Sequence, residues 1–483
     1  MLGQIANSDP CQDTSSTRPP ADRIALLWQR GLLLEKLGRG QEAMANWRIL
    51  LSFEPSHLGA LNRLGDLLYA AGEDAEAERV FAEAVASHPG DALSRVQLAK
   101  VLIKEKRLDQ AREQLQQSLA IDPASRPAHA GLAFLLSGMS EPELAAWHGQ
   151  MAFHGRCLVP AAYLGSGTPV RVLELISTRG GNVRFESFLS DRVYQRYLVA
   201  AEFYDPSTAL PPHDLVVNAI GDADLAGDAL AGAAALMSNT TAPVINPPAA
   251  VMATGRATVA QRLATVPGVV TARTATFSRK ELMTPNALAG SGFKFPMLIR
   301  SPGFHGGEHF LRLDTAEDLP AALKSLPGEE LLVIQYLNSN SADGKYRKYR
   351  AMMIDKQLYP LHCAVSRHWK IHFFSAEMAD SAEHRAEDAA FLVDMSGVLG
   401  PRAVTTLSGI QTALGLDYGG IDFGLTPQGD VLLFEANATM VILEPDPDPC
   451  WDYRRPAVAQ ACRAVDAMLM KKATQGSTVQ LQA

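Results

Sequence analysis

The sequence predicts an α-solenoid followed by a separate α+β fold. Three observations carry this expectation. Pro55, Pro89 and Pro123 recur at 34-residue spacing between stretches of helical patterning. Near residue 158 the pattern changes to short apolar runs alternating with helical stretches. A chain of 483 residues also exceeds what one ordinary core serves, so two or three domains are expected.

Residues 1–20 are polar and proline-rich and read as a loose tail. From 21 to 157 the chain repeats itself. Small residues stand at fixed offsets, Gly31, Gly65 and Ala99, then Ala43, Ala77 and Ala111. The bulky position within the second helix of each block is Trp47, Phe81 or Leu115. Small residues let two antiparallel helices approach, the bulky one fills the seam, and the proline ends the unit. This is the tetratricopeptide pattern. Residues 126–155 continue it in a degenerate register, through Leu132, Leu136 and Ala145, as a capping pair.

LVPAAYLGSGTP is a linker, after which 168–245 reads as a small βαβ-type subdomain. Its strands are Val170 to Leu175 and Asp214 to Ile220, with helical patterns near 191–204 and 224–238. A domain over 246–472 follows. It contains a helix at 256–264 and strands around 269–277, 296–300, 308–313 and 331–336. A long hairpin at 347–367, helices near 383–393 and 402–414, and a closing helix from 456 to 471 complete it, before a flexible tail at 473–483.

The most informative stretch is LDYGGIDFGLTPQGDVLLFEANATM, where strands at 418–424 and 431–437 flank a Pro- and Gly-marked turn at Thr426–Asp430. A turn centred between Gln428 and Gly429 sets Asp422 opposite Glu435, with Cβ atoms ~5 Å apart on one face. Asn437 joins that face by the period of two. Facing carboxylates amid apolar neighbours repel unless neutralised. A divalent cation does this, and an all-oxygen set suits Mg²⁺ completed by phosphates and water. Arginines pairing with hairpin surface charges are the alternative.

Upstream, FPMLIRSPGFHGGEHFLRL is a strand ending in Arg300, a loop with Gly303, Gly306 and Gly307, and a second strand. Such glycines let backbone N–H groups approach phosphate oxygens, and Arg300 supplies a fixed positive charge. His305 and His309 flank the glycines and either reach a phosphate or substrate carboxylate or are solvated loop residues. LLVIQYLNSN is an apolar strand ending in Gln335, a place for an adenine ring to find hydrogen bonds. His362, His368 and His372 lack metal-ligand spacing. Trp369 and Lys370 either line an acceptor pocket or belong to an exposed loop.

Together these residues resemble the ATP-grasp superfamily, over most of residues 170–470. The resemblance makes Asn246-Pro247 the start of a nucleotide-binding subdomain. Arg300 stands where a phosphate-binding lysine usually ends a strand, and Gly303 to Gly307, with His305, occupy the phosphate loop. Gln335, Tyr336 and Leu337 fall at the adenine hinge, and Asp422, Glu435 and Asn437 reproduce the D-x12-E-x-N spacing of the metal ligands. GKYRKYRAMMIDKQLYPLHCAVSRHWK is similar to the glutathione synthetase pattern, which assigns Arg350 and Arg367 to the acyl phosphate and the tetrahedral intermediate, where charge accumulates. Arg256, Arg262 and Arg300 stand where many relatives carry lysines, and Arg262 is counted with the nucleotide site. Gly420 departs from the D-alanine:D-alanine ligase branch, which has an arginine there.

The resemblance implies an ATP- and Mg²⁺-dependent carboxylate-amine ligase that releases ADP and phosphate. The repeats would present a peptide or protein, since concave helical arrays bind extended segments. A tetratricopeptide adaptor with a regulatory or inactive nucleotide fold, or a kinase on the same fold, are the alternatives. Composition fits a globular protein, with 47% apolar and 20% charged residues. A net charge of -8 argues against nucleic-acid or acidic-membrane binding. Five scattered cysteines, none at C-x-x-C spacing, read as reduced thiols. No stretch approaches the ~18 apolar residues of a membrane span, so the expected location is the cytoplasm.

Overall fold

The computed structural model describes residues 20–480, except 140, 162, 285–286, 289, 303–308, 372 and 374–375. It divides into two compact units. The first comprises Met1–Leu173, Thr178–Gly180 and Leu189–Thr208, the second Glu174–Ser177, Gly181–Phe188 and Ala209–Ala483. The division runs through the stretch 168–245 that the sequence presents as one subdomain.

Among the described residues of the first unit eight helices follow one another: α1 (Pro20–Lys36), α2 (Gly40–Phe53), α3 (Leu58–Ala71), α4 (Asp74–Ser87), α5 (Ala92–Lys104), α6 (Leu108–Ile121), α7 (Arg126–Gly138) and α8 (Pro142–Phe153). They pair as the repeat pattern requires, α1 with α2, α3 with α4, α5 with α6 and α7 with α8. Ala43, Ala77 and Ala111 are wholly buried, as are Trp47, Phe81 and Leu115 to within 1%. The small-to-large matching is direct: a side chain at Gly31 would overlap the Trp47 ring, and one at Gly65 would meet Phe81 at 2.5 Å. Trp47 also donates from its indole nitrogen to Glu35 at 2.8 Å, which satisfies the polar edge of a buried ring.

Two strands close this unit, β1 (Leu158–Pro160) and, beyond β2 (Val170–Ile176), β3 (Tyr194–Ala200). β1 and β3 pair antiparallel, with Leu158 opposite Val199. The central half of the stretch 191–204, Tyr194–Ala200, is therefore strand, not helix. YQRYLVA is rich in aromatic and branched residues, which favour extended backbone, and a short run of this kind satisfies either period.

The second unit begins with β4 (Leu215–Asn218) and β5 (Val244–Ile245), parallel strands joined through α9 (Gly227–Leu236), as a βαβ crossover requires. Then come α10 (Pro248–Met252), α11 (Arg256–Leu263), β6 (Val269–Thr271), β7 (Thr274–Ser278), α12 (Arg279–Leu282), β8 (Met297–Arg300), β9 (Phe310–Leu313), α13 (Leu319–Ser325) and β10 (Glu330–Gln335). The remaining elements are β11 (Tyr346–Ile354), β12 (Gln357–Ser366), α14 (Ala382–Val393), α15 (Met395–Leu414), β13 (Tyr418–Leu425), β14 (Val431–Asn437) and α16 (Arg455–Gln480). Residues 473–480, read from sequence as a flexible tail, continue α16.

Two sheets organise these elements. One has the order β7-β10-β8-β9 and is antiparallel throughout, closed over Leu282, Met297, Ile299 and Val333. The other has the order β12-β11-β13-β14-β6. Helices α14 and α16 pack on β12, and Tyr349 and Phe423 stack on one another at 5.4 Å, with Phe391 of α14 against Tyr349. That face is apolar, so by the period of two the even-numbered residues of β11 and β13 point the other way. Among the described residues no helix is long and apolar enough to cross a membrane.

Gly65→Leu forces a side chain into the buried Phe81 ring. It is expected to destabilise the repeat unit by about 1–3 kcal/mol, measured as a lower urea midpoint with an unchanged slope.

Candidate functional site

The even face of the second sheet carries a row of charged and polar side chains, one from each of four adjacent strands. His362 of β12 lies opposite Arg350 of β11, Arg350 opposite Asp422 of β13, and Asp422 opposite Glu435 of β14. Lys348 shares the face two residues before Arg350, and Asn437 two residues after Glu435.

The facing of Asp422 and Glu435 matches the sequence expectation, though its cause differs. Gly429 adopts φ 81° and donates to the Thr426 carbonyl at 2.9 Å, closing a turn that sets Leu425 against Val431 and Phe423 against Leu433. Continued without interruption, that ladder would put Phe434 against Asp422. A bulge admits Phe434 as an extra residue, leaves it exposed, and brings Glu435 into place. A second register shift lies between Arg350 and Ala351, so irregularities flank the row on both sides.

Asp422 is 2% exposed, yet its carboxylate is fully paired. Arg350 donates through Nε to Oδ1 at 2.6 Å and through Nη2 to Oδ2 at 2.9 Å, and Lys348 Nζ donates to Oδ2 at 2.8 Å. Burial pushes the carboxyl up, but Lys348 and Arg350 together overcome it and hold it well below the usual carboxylate range. Glu435 accepts from the Asn437 amide at 2.9 Å, and Asn437 Oδ1 accepts from the Thr439 backbone and hydroxyl. Among the described residues no three of His, Cys, Asp and Glu gather into a metal-holding group. The oxygen donors here are two carboxylates and an amide, a set suited to a hard cation that brings further oxygen ligands with it.

The remaining expected residues are not gathered in one place. Arg300 ends β8 with its guanidinium over the Phe310 ring at 5.5 Å, and Arg312 lies over Tyr336 at 4.6 Å. Trp369 packs edge-on to both rings, at 5.7 and 6.3 Å, and Lys370 Nζ reaches the Phe310 carbonyl at 3.3 Å. Arg300, Tyr336, Trp369 and Lys370 thus surround one aromatic cluster. Gln335, ending β10, exchanges hydrogen bonds with the backbone of Arg273 and is followed by half-buried Leu337. Arg262 is exposed in the last turn of α11, and Arg367 is exposed one residue beyond β12, outside the row that holds Arg350. Gly303, His305, Gly306 and Gly307 lie outside the described residues, as does His372.

Three participants were not marked by the sequence motifs. Lys348 was legible in principle, because YRKYR on a strand puts it on the face of Arg350. His362 gave no such signal, being a lone polar residue in an apolar strand. Asp388 of α14 is wholly buried and accepts from the Cys363 backbone at 2.6 Å and the Tyr453 hydroxyl at 2.7 Å, with Arg454 Nε at 3.6 Å. Burial raises its carboxyl to about 6, against the hydrogen bonds and Arg454.

Residues 75–135 match the family model of the tetratricopeptide repeat, wholly within the helical array. Among solved structures, the chain is similar to MamA 41-end from Desulfovibrio magneticus RS-1. That likeness has 26% identity over 27% of this chain and 73% of that one, with a TM-score of 0.25. A tetratricopeptide repeat protein from Parabacteroides merdae is similar at 19% identity, over 26% of this chain and 49% of that one, with a TM-score of 0.25. No curated protein matches the chain.

Because the folded carboxyl of Asp388 lies above its ordinary value, it contributes stability that is complete below about pH 4 and lost as pH rises through about 6. Asp388→Asn should remove that dependence. The variant is expected to gain on the order of 3 kcal/mol relative to the parent between pH 4 and 7, measured by urea unfolding at both pH values. A difference that stays constant with pH would refute it.

Proposed function

We propose that the second unit is an ATP-grasp ligase that activates a carboxylate with Mg-ATP, and that the tetratricopeptide array binds a peptide or protein partner on the same chain. One observation carries the reading: a buried carboxylate, Asp422, lies between two cations and a second carboxylate in a single cross-strand row.

In this reading Asp422, Glu435 and Asn437 hold the cation. Bound Mg-ATP would supply the transferable phosphoryl group. Arg350 stands beside Asp422 to meet charge developing on the acid, and Lys348 is a second cation able to turn from Asp422 to a phosphate oxygen. Arg300 and the glycine loop serve the phosphates, and Gln335 to Leu337 the adenine. A carboxylate oxygen of the acid attacks the γ-phosphorus as the bond to the ADP oxygen breaks. Attack of an amine nitrogen on the resulting carbonyl carbon then expels phosphate, with the amine proton passing to solvent. Arg367, exposed beyond β12, would join only if its loop folds inward.

A second reading has its own support. The family match falls in the repeats, and Asp422 is neutralised by Lys348 and Arg350 without any metal. Both features suit an adaptor whose second unit is regulatory or inactive.

Glu435→Gln removes charge while keeping the oxygen that accepts from Asn437, and Asp422→Asn removes charge at nearly constant shape but turns one of the two oxygens held by Arg350 and Lys348 into an amide donor. Each is expected to lower ADP release from Mg-ATP at least about 100-fold, with unchanged circular dichroism and partner binding. Intact-mass analysis of candidate acids and peptides separates the chemistries, since a ligase leaves a condensed product and free phosphate and a kinase a stable phosphorylated one. Unchanged turnover in both variants sinks the ligase reading, and nucleotide binding without turnover for every acid tried favours the adaptor.

A further inference from the structure

Beyond Arg350 the same face opens into a cavity of about 260 Å³. Its polar wall is Arg350, His362 and Arg454. His362 is 7% exposed, and its Nε2 has no hydrogen-bond partner. Leaving a buried polar atom unsatisfied costs roughly 1–3 kcal/mol, so an unsatisfied nitrogen on a residue that lines a cavity is a reason to look for a polar ligand group there. The ring is held in place by Phe373, with centroids 4.7 Å apart. Burial, followed by the charge of Arg350, pushes the imidazole well below its ordinary value, so it stays neutral and can donate from Nε2.

Arg454 is 8% exposed and equally fixed. Its guanidinium lies over the Phe373 ring at 4.0 Å, Nη2 donates to the Leu361 carbonyl at 3.3 Å, and Asp388 backs it at 3.6 Å. Its Nε is buried without a hydrogen bond. Two guanidiniums, each already backed by one carboxylate, and a neutral N–H donor line this one space, a donor set suited to a carboxylate.

The rest of the cavity decides what that carboxylate is attached to. Met378, Trp451 and Leu361 make an apolar wall that a bare inorganic anion would leave unfilled. The volume lies below the ~300–1,000 Å³ of pockets for drug-sized ligands, which points to a molecule of amino-acid size. Glu444 and Asp446, from the segment after β14, complete the lining with two exposed carboxylates suited to an ammonium group.

We infer that this cavity binds an amino acid with an apolar or aromatic side chain. Its carboxylate is held by Arg350, His362 and Arg454, its ammonium by Glu444 and Asp446, and its side chain by Phe373, Met378 and Trp451. Since Arg350 belongs both to this cavity and to the Asp422 row, the bound carboxylate is the one activated; that last step rests on the ligase reading, whereas the binding does not.

Calorimetric titration of the full chain with L-leucine, L-methionine and L-phenylalanine, alone and with Mg-ADP present, tests the inference. At least one should bind, and for the tightest the analogue lacking the ammonium and the one lacking the carboxylate should each bind at least about tenfold more weakly. For L-phenylalanine these are 3-phenylpropionate and phenethylamine. His362→Phe should weaken binding about tenfold or more, and Ala376→Trp, which fills the cavity from a half-buried lining position, should abolish it with the urea midpoint retained. No heat from any of the three amino acids, equal affinity for the analogues, or unaltered binding in both variants overturns the assignment. Binding that persists while Asp422→Asn and the parent alike release no ADP upholds the cavity and refutes only the ligase reading. ADP formation with other acids and no amino-acid binding does the reverse.

Discussion

A charged carboxylate at Asp422 can be buried only if cations accompany it, and much of the second unit follows from that requirement. Breaking a buried pair of this kind strands a charge and costs about 3–5 kcal/mol. The strand register must therefore be held against slippage, because a shift of one residue would carry Ile421 to the polar face and Asp422 into the core. Asn246 does much of the holding. It is wholly buried with φ 53°, and its side-chain oxygen accepts from the backbone of Asp417 and Tyr418 while its amide donates to the Tyr418 carbonyl at 2.8 Å. The first residue of β13 is thus pinned before the strand begins. From there the period of two delivers Gly420 and Asp422 to the face that carries Arg350.

The repeats were legible in the sequence because two independent regularities coincide there. A 34-residue period could arise from many helical arrays, but Gly31 under Trp47 and Gly65 under Phe81 specify which helices touch and where. The facing of Asp422 and Glu435 was legible for a less secure reason. Counting outward from the turn gives the pairing only if the turn is centred half a residue late. The true turn and a bulge at Phe434 compensate one another, and an apolar residue within LLFEAN offers nothing to mark a bulge. The strand at 194–200 is not legible for the converse reason, being a short apolar-aromatic run whose partner, β1, lies across a linker that carries no period.

What the sequence could not supply was the neighbourhood of His362 and Arg454. They are 92 positions apart and meet only because β12 and the segment leading into α16 fold against the same Phe373 ring. No spacing rule links them. Their common role emerges from burial, since both are buried side chains that line one cavity.

The charges of the row bear on how a cation could enter it. Lys348 and Arg350 balance Asp422 and Glu435, and His362 adds nothing while its imidazole is held neutral. A divalent cation alone would leave two uncompensated positive charges in a half-buried place and would have to displace Lys348 or Arg350 from Asp422. Arriving with phosphate oxygens, it brings the compensating charge and gives the displaced side chain a new anionic partner. On the proposed function, metal and nucleotide should therefore bind as a unit. An adaptor whose row serves only to stabilise the sheet has no need of that coupling, because its charges already cancel. The same four side chains thus divide the two readings by what each requires to arrive together.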